Sequence, residues 1–295
     1  MSSMYDAVNN IDGRFSPYLV RLSNISRNAS EPAAADQTAH DVLVALYPAF
    51  QSNLDEQLQQ DLAQIAEGQD KTDGIAVGET VAAQILAFRK EDGANVTPPP
   101  FKAGTDAGEY QLTPPNFAPA DFTQWPTVTP FALARADEFR PSPPPRLTSD
   151  AYARAFNEVK SLGIVNSTTR TPEQTLIGKF WNGNIQDFWN EIAQTAAVGH
   201  HLNLPQSARL FALLNISLAD TTISLFEAKY TYVLAPGDCD STGERRRRFQ
   251  NEARFELAAA VNQNCSGPFL PGRSQCDQFC RRRSVEGLLR RSVRF

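Results

Sequence analysis

The sequence predicts an all-α protein, and three observations support this prediction. Apolar residues recur three and four positions apart along most of the chain, as they do in amphipathic helices. No stretch alternates apolar and polar residues in the manner of a half-buried strand, and no internal repeat is present. Of the 20 prolines, 12 lie between Pro98 and Pro145, so one long segment can be neither helix nor central strand. We therefore expect a helical bundle that is interrupted by one long loop.

Four helices are predicted in the first 90 residues. They cover residues 4–12, 33–47, 54–65 and 73–90, and Gly68 ends the third of them. The short breaks suggest antiparallel neighbours. The residues predicted to face inward are Met4, Val8 and Ile11; Val42, Leu43 and Leu46; Leu54, Leu58, Leu62 and Ile65; and Val77, Val81, Ile85 and Phe88.

A proline-rich segment, residues 93–148, follows these helices. Because aromatic residues are spread through it, we expect a long loop that lies on the helices and is anchored by its rings, rather than a free linker. The alternative is a PxxP ligand for a small recognition domain. The rings are those of Phe101, Phe117, Phe122, Trp125, Phe131 and Phe139.

Helices resume near Ser149. Thr171, Pro172 and Gln174 have the types expected at the N-cap, first and third positions of a helix that runs to Trp181. Residues predicted to face inward on the helices before and after it are Tyr152, Phe156 and Val159, and Phe188, Ile192 and Ala196. The longest helix runs from Pro205 to about Tyr230 and is apolar on most sides, which predicts a central position.

The charge distribution divides the chain. Residues 234–295 carry 12 Arg and 7 Asp or Glu, whereas the preceding residues have a net charge of −10. All four cysteines also lie in this last part. The N-terminus has no basic region followed by an apolar run, so no signal peptide is visible and a cytoplasmic location is the default expectation. Asn215 and Asp220 interrupt the most apolar stretch, so we expect no transmembrane helix and no membrane partner.

Few residues have the types and spacing of a metal site. His40, His200 and His201 are expected to be solvated, because other ligands are scarce around them. The cysteines lack the close pairs of common zinc modules, although a loose zinc-stapled tail is an alternative. They are Cys239, Cys265, Cys276 and Cys280.

The arginine runs of the tail suit anions in general. Residues 245–248, 281–283 and 290–291 could contact a phosphate backbone, and a non-catalytic protein with a nucleic-acid-binding tail is therefore an alternative function. No nucleic-acid-binding fold surrounds these runs, so a disordered basic tail with non-specific affinity for anions is the simpler interpretation. No specific partner is predicted.

The longest helix carries two carboxylates, Asp220 and Glu227, that share one face two turns apart, with Lys229 close behind. We expect a structural ion pair there. In this helix and in several earlier segments, the sequence resembles a known family. The segments are 5–9, 39–43, 125–131, 139–144, 207–220 and 227–232.

Taken together over about residues 1–232, these segments resemble the bacterial branch of the vanadium-dependent haloperoxidases, which share a superfamily with the type 2 phosphatidic acid phosphatases. The resemblance implies a partial haloperoxidase-type helical bundle. In that family, vanadate is held by a Lys-x6-Arg-Pro motif, a Ser-Gly-His segment and a distal Arg and His, and peroxide-driven halide oxidation follows. An acid phosphatase of the same superfamily is the alternative.

Only the first ligand of that set has a counterpart here, which is Lys229. The positions expected to hold Arg and Pro hold Pro236 and Gly237, no Ser-Gly-His occurs, and no histidine follows His201. We therefore expect a truncated homologue that has no catalytic residues, is inactive as this chain stands and binds no vanadate, with Lys229 as a remnant of the oxyanion site.

The genetic code offers a reason why the family motif is interrupted after Lys229. Codons for residues 234–240, shifted by one base, can encode Trp-Arg-Pro-Val-Thr-Ala, which is the continuation expected from the family. We therefore expect residues 233–295 to be an out-of-frame, disordered tail. Members of the family have further helix upstream of the position that Met1 occupies, so we expect an N-terminal portion to be missing. Intact relatives are often exported. Apolar surface left exposed by missing partners should favour self-association.

Overall fold

The computed structural model describes residues 1–105, 108–110, 112, 117, 119–163 and 166–233. These ranges contain eight α-helices and no β-strand, which confirms the all-α prediction. Apart from Val233, the tail for which we predicted disorder lies outside the described residues. The helices are α1 Ser2–Asp12, α2 Glu31–Leu46, α3 Gln51–Leu62, α4 Gln69–Arg89, α5 Asp150–Gly163, α6 Pro172–Trp181, α7 Ile185–Gly199 and α8 Leu204–Tyr232.

The described chain divides into two compact units. The first comprises Met1–Asp92 and Gln186–Ala219, and the second comprises Gly93–Ile185 and the chain from Asp220 onward. Helix α8 is continuous across the division. The first unit therefore holds α1 to α4 and most of α7, whereas the second unit holds the proline-rich segment, α5 and α6.

Small residues form the central contact of the first unit, where α2 packs on α4. A Cβ atom at Gly78 would lie 2.7 Å from the carbonyl oxygen of Ala34, and one at Gly74 would lie 2.4 Å from that of Ser30. The hydroxyl of Thr38 donates to the Ala34 carbonyl oxygen at 2.7 Å and lies 3.0 Å from that of Gly78. The two backbones can approach this closely because only glycine leaves the necessary space.

This contact explains why the predicted inner face of α2 is wrong. Val42 and Leu43 are only half-buried, and Leu46 is 54% exposed. The buried residues of α2 are instead those from Ala33 to Ala39. A search for large apolar residues misses such a face, because the close approach of the backbones selects small side chains.

The other predictions for the first unit are largely confirmed. On α4, Val77, Val81 and Ile85 are buried, whereas Phe88 is exposed. Gly68 does not end α3, which stops at Leu62; it is the N-cap of α4. On α3, Leu54 is buried, and Leu58 and Leu62 are half-buried. Ile65, predicted for the same face, is half-buried but lies beyond the end of α3.

Helices α7 and α8 contribute to the first unit through small and amide side chains. The buried residues of α7 are Ala193 and Ala197, so the predicted face with Phe188, Ile192 and Ala196 is wrong. Asn190 and Asn215 donate to each other's side-chain oxygens, at 3.2 and 3.0 Å. This reciprocal amide pair fixes the register of α7 against α8.

The predicted N-terminus of α6 is confirmed. The Thr171 hydroxyl accepts from the backbone N–H of Gln174 at 3.1 Å, and the Gln174 side chain accepts from the backbone N–H of Thr171 at 2.9 Å. This is a complete capping box. No residue of α6 is buried, and four large apolar side chains on one of its faces are exposed. They are Leu176, Ile177, Phe180 and Trp181.

Helix α8 is central only in part. Phe211, Ala212 and Ile223 are buried, whereas Leu213 and Leu225 are more than half exposed. Helix α8 is long enough and, with a mean hydropathy of 1.3, apolar enough to cross a membrane. The core helix of a soluble protein can meet the same two criteria. This result differs from our expectation of no such helix. Its buried carboxylates, described next, bind the protein's own loop.

Candidate functional site

The second half of α8 and the proline-rich segment together form the candidate site. Asp220, which is buried, accepts three hydrogen bonds from successive backbone N–H groups of that segment. The donors are Phe131, Ala132 and Leu133, at 2.6, 2.7 and 3.0 Å. One carboxylate thus satisfies three backbone donors of a segment that has no regular structure of its own.

Glu227 makes the next contact, two turns further along the same face. Its carboxylate accepts two hydrogen bonds from the Arg140 guanidinium and one from the Thr231 hydroxyl at 2.7 Å. Mainly because of Arg140, the pKa of Glu227 is lowered. The structural ion pair that we predicted therefore exists, but its cation is Arg140 of the proline-rich segment and not Lys229.

Aromatic residues complete the attachment of the loop. Phe122 packs edge-on against Trp125 and Phe226, with ring centroids 5.1 and 5.3 Å apart, and Phe101 lies 6.0 Å from Tyr230. The Tyr230 hydroxyl donates to the carbonyl oxygen of Asp121. Anchoring by rings on α8 is therefore confirmed for Phe101 and Phe122, whereas the ring of Trp125 packs on Phe122 within the loop. Phe117 and Phe139 are exposed, so they do not contribute as we predicted.

Lys229 lies in the last turn of α8 and is exposed. Its Nζ atom lies 5.2 Å from the ring centre of Phe226 and 5.7 Å from that of Tyr230. These aromatic faces hold the ammonium group beside the end of the helix. Lys229 can give an oxyanion one charge-assisted donor. The nearby guanidinium of Arg140 is already bound by Glu227 and approaches Asp137 at 3.8 Å.

The donors around Lys229 do not by themselves fit vanadate. A multiply charged oxyanion needs several charge-assisted hydrogen bonds to replace its water. The residues described at the end of α8 provide one lysine, and the sequence has no histidine beyond His201 to bond the metal. Within the described ranges, no group of three His, Cys, Asp or Glu residues is arranged to hold a metal ion.

His40 lies between two carboxylates, so our prediction that it is solvated is wrong. Its Nδ1 atom is 2.8 Å from Asp41 and its Nε2 atom is 2.7 Å from Asp55. Burial lowers the pKa of His40, but the hydrogen bonds to the two aspartates outweigh burial, and the net pKa is raised. This group joins α2 to α3. His200 and His201 are exposed.

Asp36 is a buried acid that our sequence analysis missed. Its side chain lies on the buried face of α2, and its Oδ2 atom has no hydrogen-bond partner in the described structure. Burial, and secondly the charge of Asp61, raises the pKa of Asp36 to about 7. In the sequence, Asp36 directly follows three consecutive alanines. Because these alanines form the packed face of α2, this position was the signal that could have identified Asp36 as buried.

The cysteines and the arginine runs of residues 234–295 lie outside the described residues. The zinc-stapled tail and the nucleic-acid-binding tail therefore stay predictions.

With this geometry in place, comparison with known proteins defines the fold. The chain has the all-α fold of the vanadium haloperoxidases. It is similar to a crystal structure described as that of the first bacterial vanadium-dependent iodoperoxidase, with a TM-score of 0.66 and 22% sequence identity. The similarity covers 79% of this chain and 62% of that one, so the chain spans less than two thirds of its structural relative. No family model and no curated protein matches the sequence.

Proposed function

We propose that this chain is a homologue of the vanadium-dependent haloperoxidases that is inactive as it stands. The family reaction would be halide oxidation by peroxide at a histidine-bound vanadate, and Lys229 would be the remaining ligand of the oxyanion. The observation that carries this proposal is the position of Lys229. It is exposed in the last turn of a helix whose two buried carboxylates fix the loop beside it, within a haloperoxidase fold.

The chemistry of the missing residues supports inactivity. Vanadate, when bound, supplies the centre at which peroxide is activated towards a halide. This chain's own contribution is limited to one ammonium group, and a single exposed ion pair is worth about 0–1 kcal/mol. Binding of that strength corresponds to a dissociation constant in the molar range. Specific occupancy at micromolar vanadate is therefore not expected.

The proposal can be tested on the purified 295-residue chain. Because one ion pair binds so weakly, we expect equilibrium dialysis to show no saturable vanadate binding below about 1 mM. Triiodide absorbance should show no vanadate-dependent iodide oxidation. Hydrolysis of p-nitrophenyl phosphate should also be absent, which tests the acid phosphatase alternative. Turnover that requires the purified chain and is lost in Lys229→Ala would overturn the proposal.

A second experiment tests the reading frame. We propose that the codons after Lys229, read one base over, restore Trp-Arg-Pro, so the frame-restored chain should gain vanadate binding that Lys229→Ala removes. The matched control is Lys179→Ala, which changes an exposed lysine on α6. Nucleotides that do not encode Trp-Arg-Pro in the shifted frame would contradict this part of the proposal and leave the first part testable by itself.

A further inference from the structure

A cavity of about 570 Å³ in the second unit is separate from the contacts of Lys229 described above. Its lining has two chemically different parts. Pro144, Leu147 and Tyr232 are half-buried and form an apolar floor. The charged side chains of Lys102 and Arg146 are exposed and form the rim. Lys229 is not among the lining residues.

The walls of the cavity are held together by hydrogen bonds within the protein. The Tyr232 hydroxyl donates to the carbonyl oxygen of Pro141 at 2.6 Å, which connects the end of α8 to the proline-rich wall. On the other side, the backbone N–H of Tyr110 donates to the carbonyl oxygen of Val233 at 2.9 Å. Proline restricts the backbone of the first wall further. The cavity is therefore preformed, which lowers the entropic cost of binding a ligand.

The charge of the rim favours an anion. Neither Lys102 nor Arg146 has an ion-pair partner in the part of the chain that the structure describes. Glu109 also lines the cavity, but its Oε2 atom accepts from the backbone N–H of Thr105 at 2.9 Å and so is directed into its own loop. Two cations therefore face the cavity against one carboxylate that already has a partner.

We propose that this cavity binds a small organic anion with a flat apolar body, such as an aromatic carboxylate. The carboxylate pairs with Arg146 and Lys102 at the rim, where a guanidinium can bind it through two parallel hydrogen bonds. The apolar body packs on Leu147, Pro144 and the ring of Tyr232. The proposal does not depend on the oxyanion chemistry proposed for Lys229.

Benzoate is the probe, and benzamide is its neutral counterpart of the same shape. On the full chain, we expect titration calorimetry and saturation-transfer NMR to show saturable benzoate binding at least fivefold tighter than that of benzamide. Lys102→Met and Arg146→Met should each weaken benzoate binding about two- to fivefold, as loss of an exposed ion pair predicts. Lys179→Met, on α6, is the control and should leave binding unchanged.

Two further variants distinguish this cavity from the end of α8 as the place where the anion binds. Glu109→Gln should tighten benzoate binding, because it removes the negative charge from the rim. Lys229→Ala should leave benzoate binding unchanged, and inorganic phosphate should compete only weakly. Equal binding of benzamide, or unchanged benzoate binding in the Lys102→Met/Arg146→Met variant with its helical circular dichroism intact, would overturn the proposal. Loss of benzoate binding in Lys229→Ala would also overturn it, by assigning the anion to the end of α8.

Discussion

Three buried aspartates show how the same side chain takes different roles at the scale of single residues. Asp6 accepts from the backbone N–H groups of Tyr18, Leu19 and Val20, and Asp220 accepts from three successive N–H groups of the proline-rich segment. Both hold irregular chain onto a helix. Asp36, in contrast, leaves Oδ2 without a partner. The hydrogen bonds of Asp6 and Asp220 should therefore stabilise the fold, although burial raises the pKa of Asp6. Ionised Asp36, which lacks such a bond at Oδ2, should destabilise the fold.

Replacing Asp220 by Asn should show this difference. The amide keeps the shape but provides only one acceptor oxygen and directs N–H groups at backbone donors. We expect Asp220→Asn to lower the free energy of unfolding by about 2–3 kcal/mol, measured by urea denaturation, because hydrogen bonds to a charged group are lost. Asp121→Asn, on the exposed surface of the same unit, is the control. A loss below about 0.5 kcal/mol, the size of ordinary surface changes, would contradict this role.

Asp36 should make stability depend on pH. Its pKa is about 7 in the folded state, because burial disfavours the charged form, and about 3.9 in the unfolded chain. Between these values the unfolded chain releases its proton while the folded chain retains it, so stability falls as pH rises from about 4 to about 7. The stabilisation that comes from keeping Asp36 protonated is complete below about pH 4 and lost above about pH 7.

The variant Asp36→Asn should remove this dependence. By linkage, we expect its free energy of unfolding to exceed that of the parent chain by up to about 4 kcal/mol at about pH 8 and by little at about pH 4. Urea midpoints across this range measure the difference, and Glu79→Gln, which changes an exposed carboxylate of α4, is the control. Parallel stability curves for the parent and Asp36→Asn would show that Asp36 is not protonated in the fold.

At the scale of elements, sequence patterns located most helices but not their buried faces. The start of α6 was predictable because Thr171, Pro172 and Gln174 act within four residues of one another. The buried face of α2 was not, because it depends on Gly74 and Gly78 of another helix. Similarly, the partners of Asp220 lie almost 90 residues away, so no local signal marks them.

The α2–α4 contact leads to a pair of opposite predictions for the same substitution. Gly78→Ala should destabilise the protein by about 1–3 kcal/mol, because the new methyl group meets Ala34 and Gln37 in a packed contact. Gly178→Ala should stabilise it by about 0.5–1 kcal/mol, because its Cβ meets nothing within 4 Å and alanine favours helix. Thermal or urea unfolding of the two variants measures both. Equal effects would contradict the close approach of the backbones.

At the scale of the whole molecule, the described structure leaves large apolar side chains exposed on α5 and α6. The four large side chains on one face of α6 are the clearest case, and Val159 of α5 is also exposed. Contiguous apolar patches of this kind favour association. The sequence indicated exposed apolar surface through its resemblance to a longer family, but it did not indicate that α6 would carry it.

We expect the double variant Ile177→Glu/Phe180→Glu to increase the soluble, monomeric fraction several-fold, since it interrupts this patch with charge. Light scattering after size-exclusion chromatography measures the fraction, and circular dichroism checks the helix content. Val81→Glu, which buries a charge in the first unit, is the contrasting variant and should unfold the protein. Undiminished aggregation of a well-folded double variant would show that another surface is responsible.

The reciprocal amide pair of Asn190 and Asn215 has a consequence for how this protein can change over evolutionary time. Each asparagine also donates to a carbonyl oxygen of its own helix, so losing one member leaves only the side-chain oxygen of the other without its partner. Replacing both by apolar residues of similar volume leaves no such oxygen between the helices. Amino-acid substitutions at positions 190 and 215 should therefore be correlated. Descendants are expected to keep both asparagines or to have replaced both together.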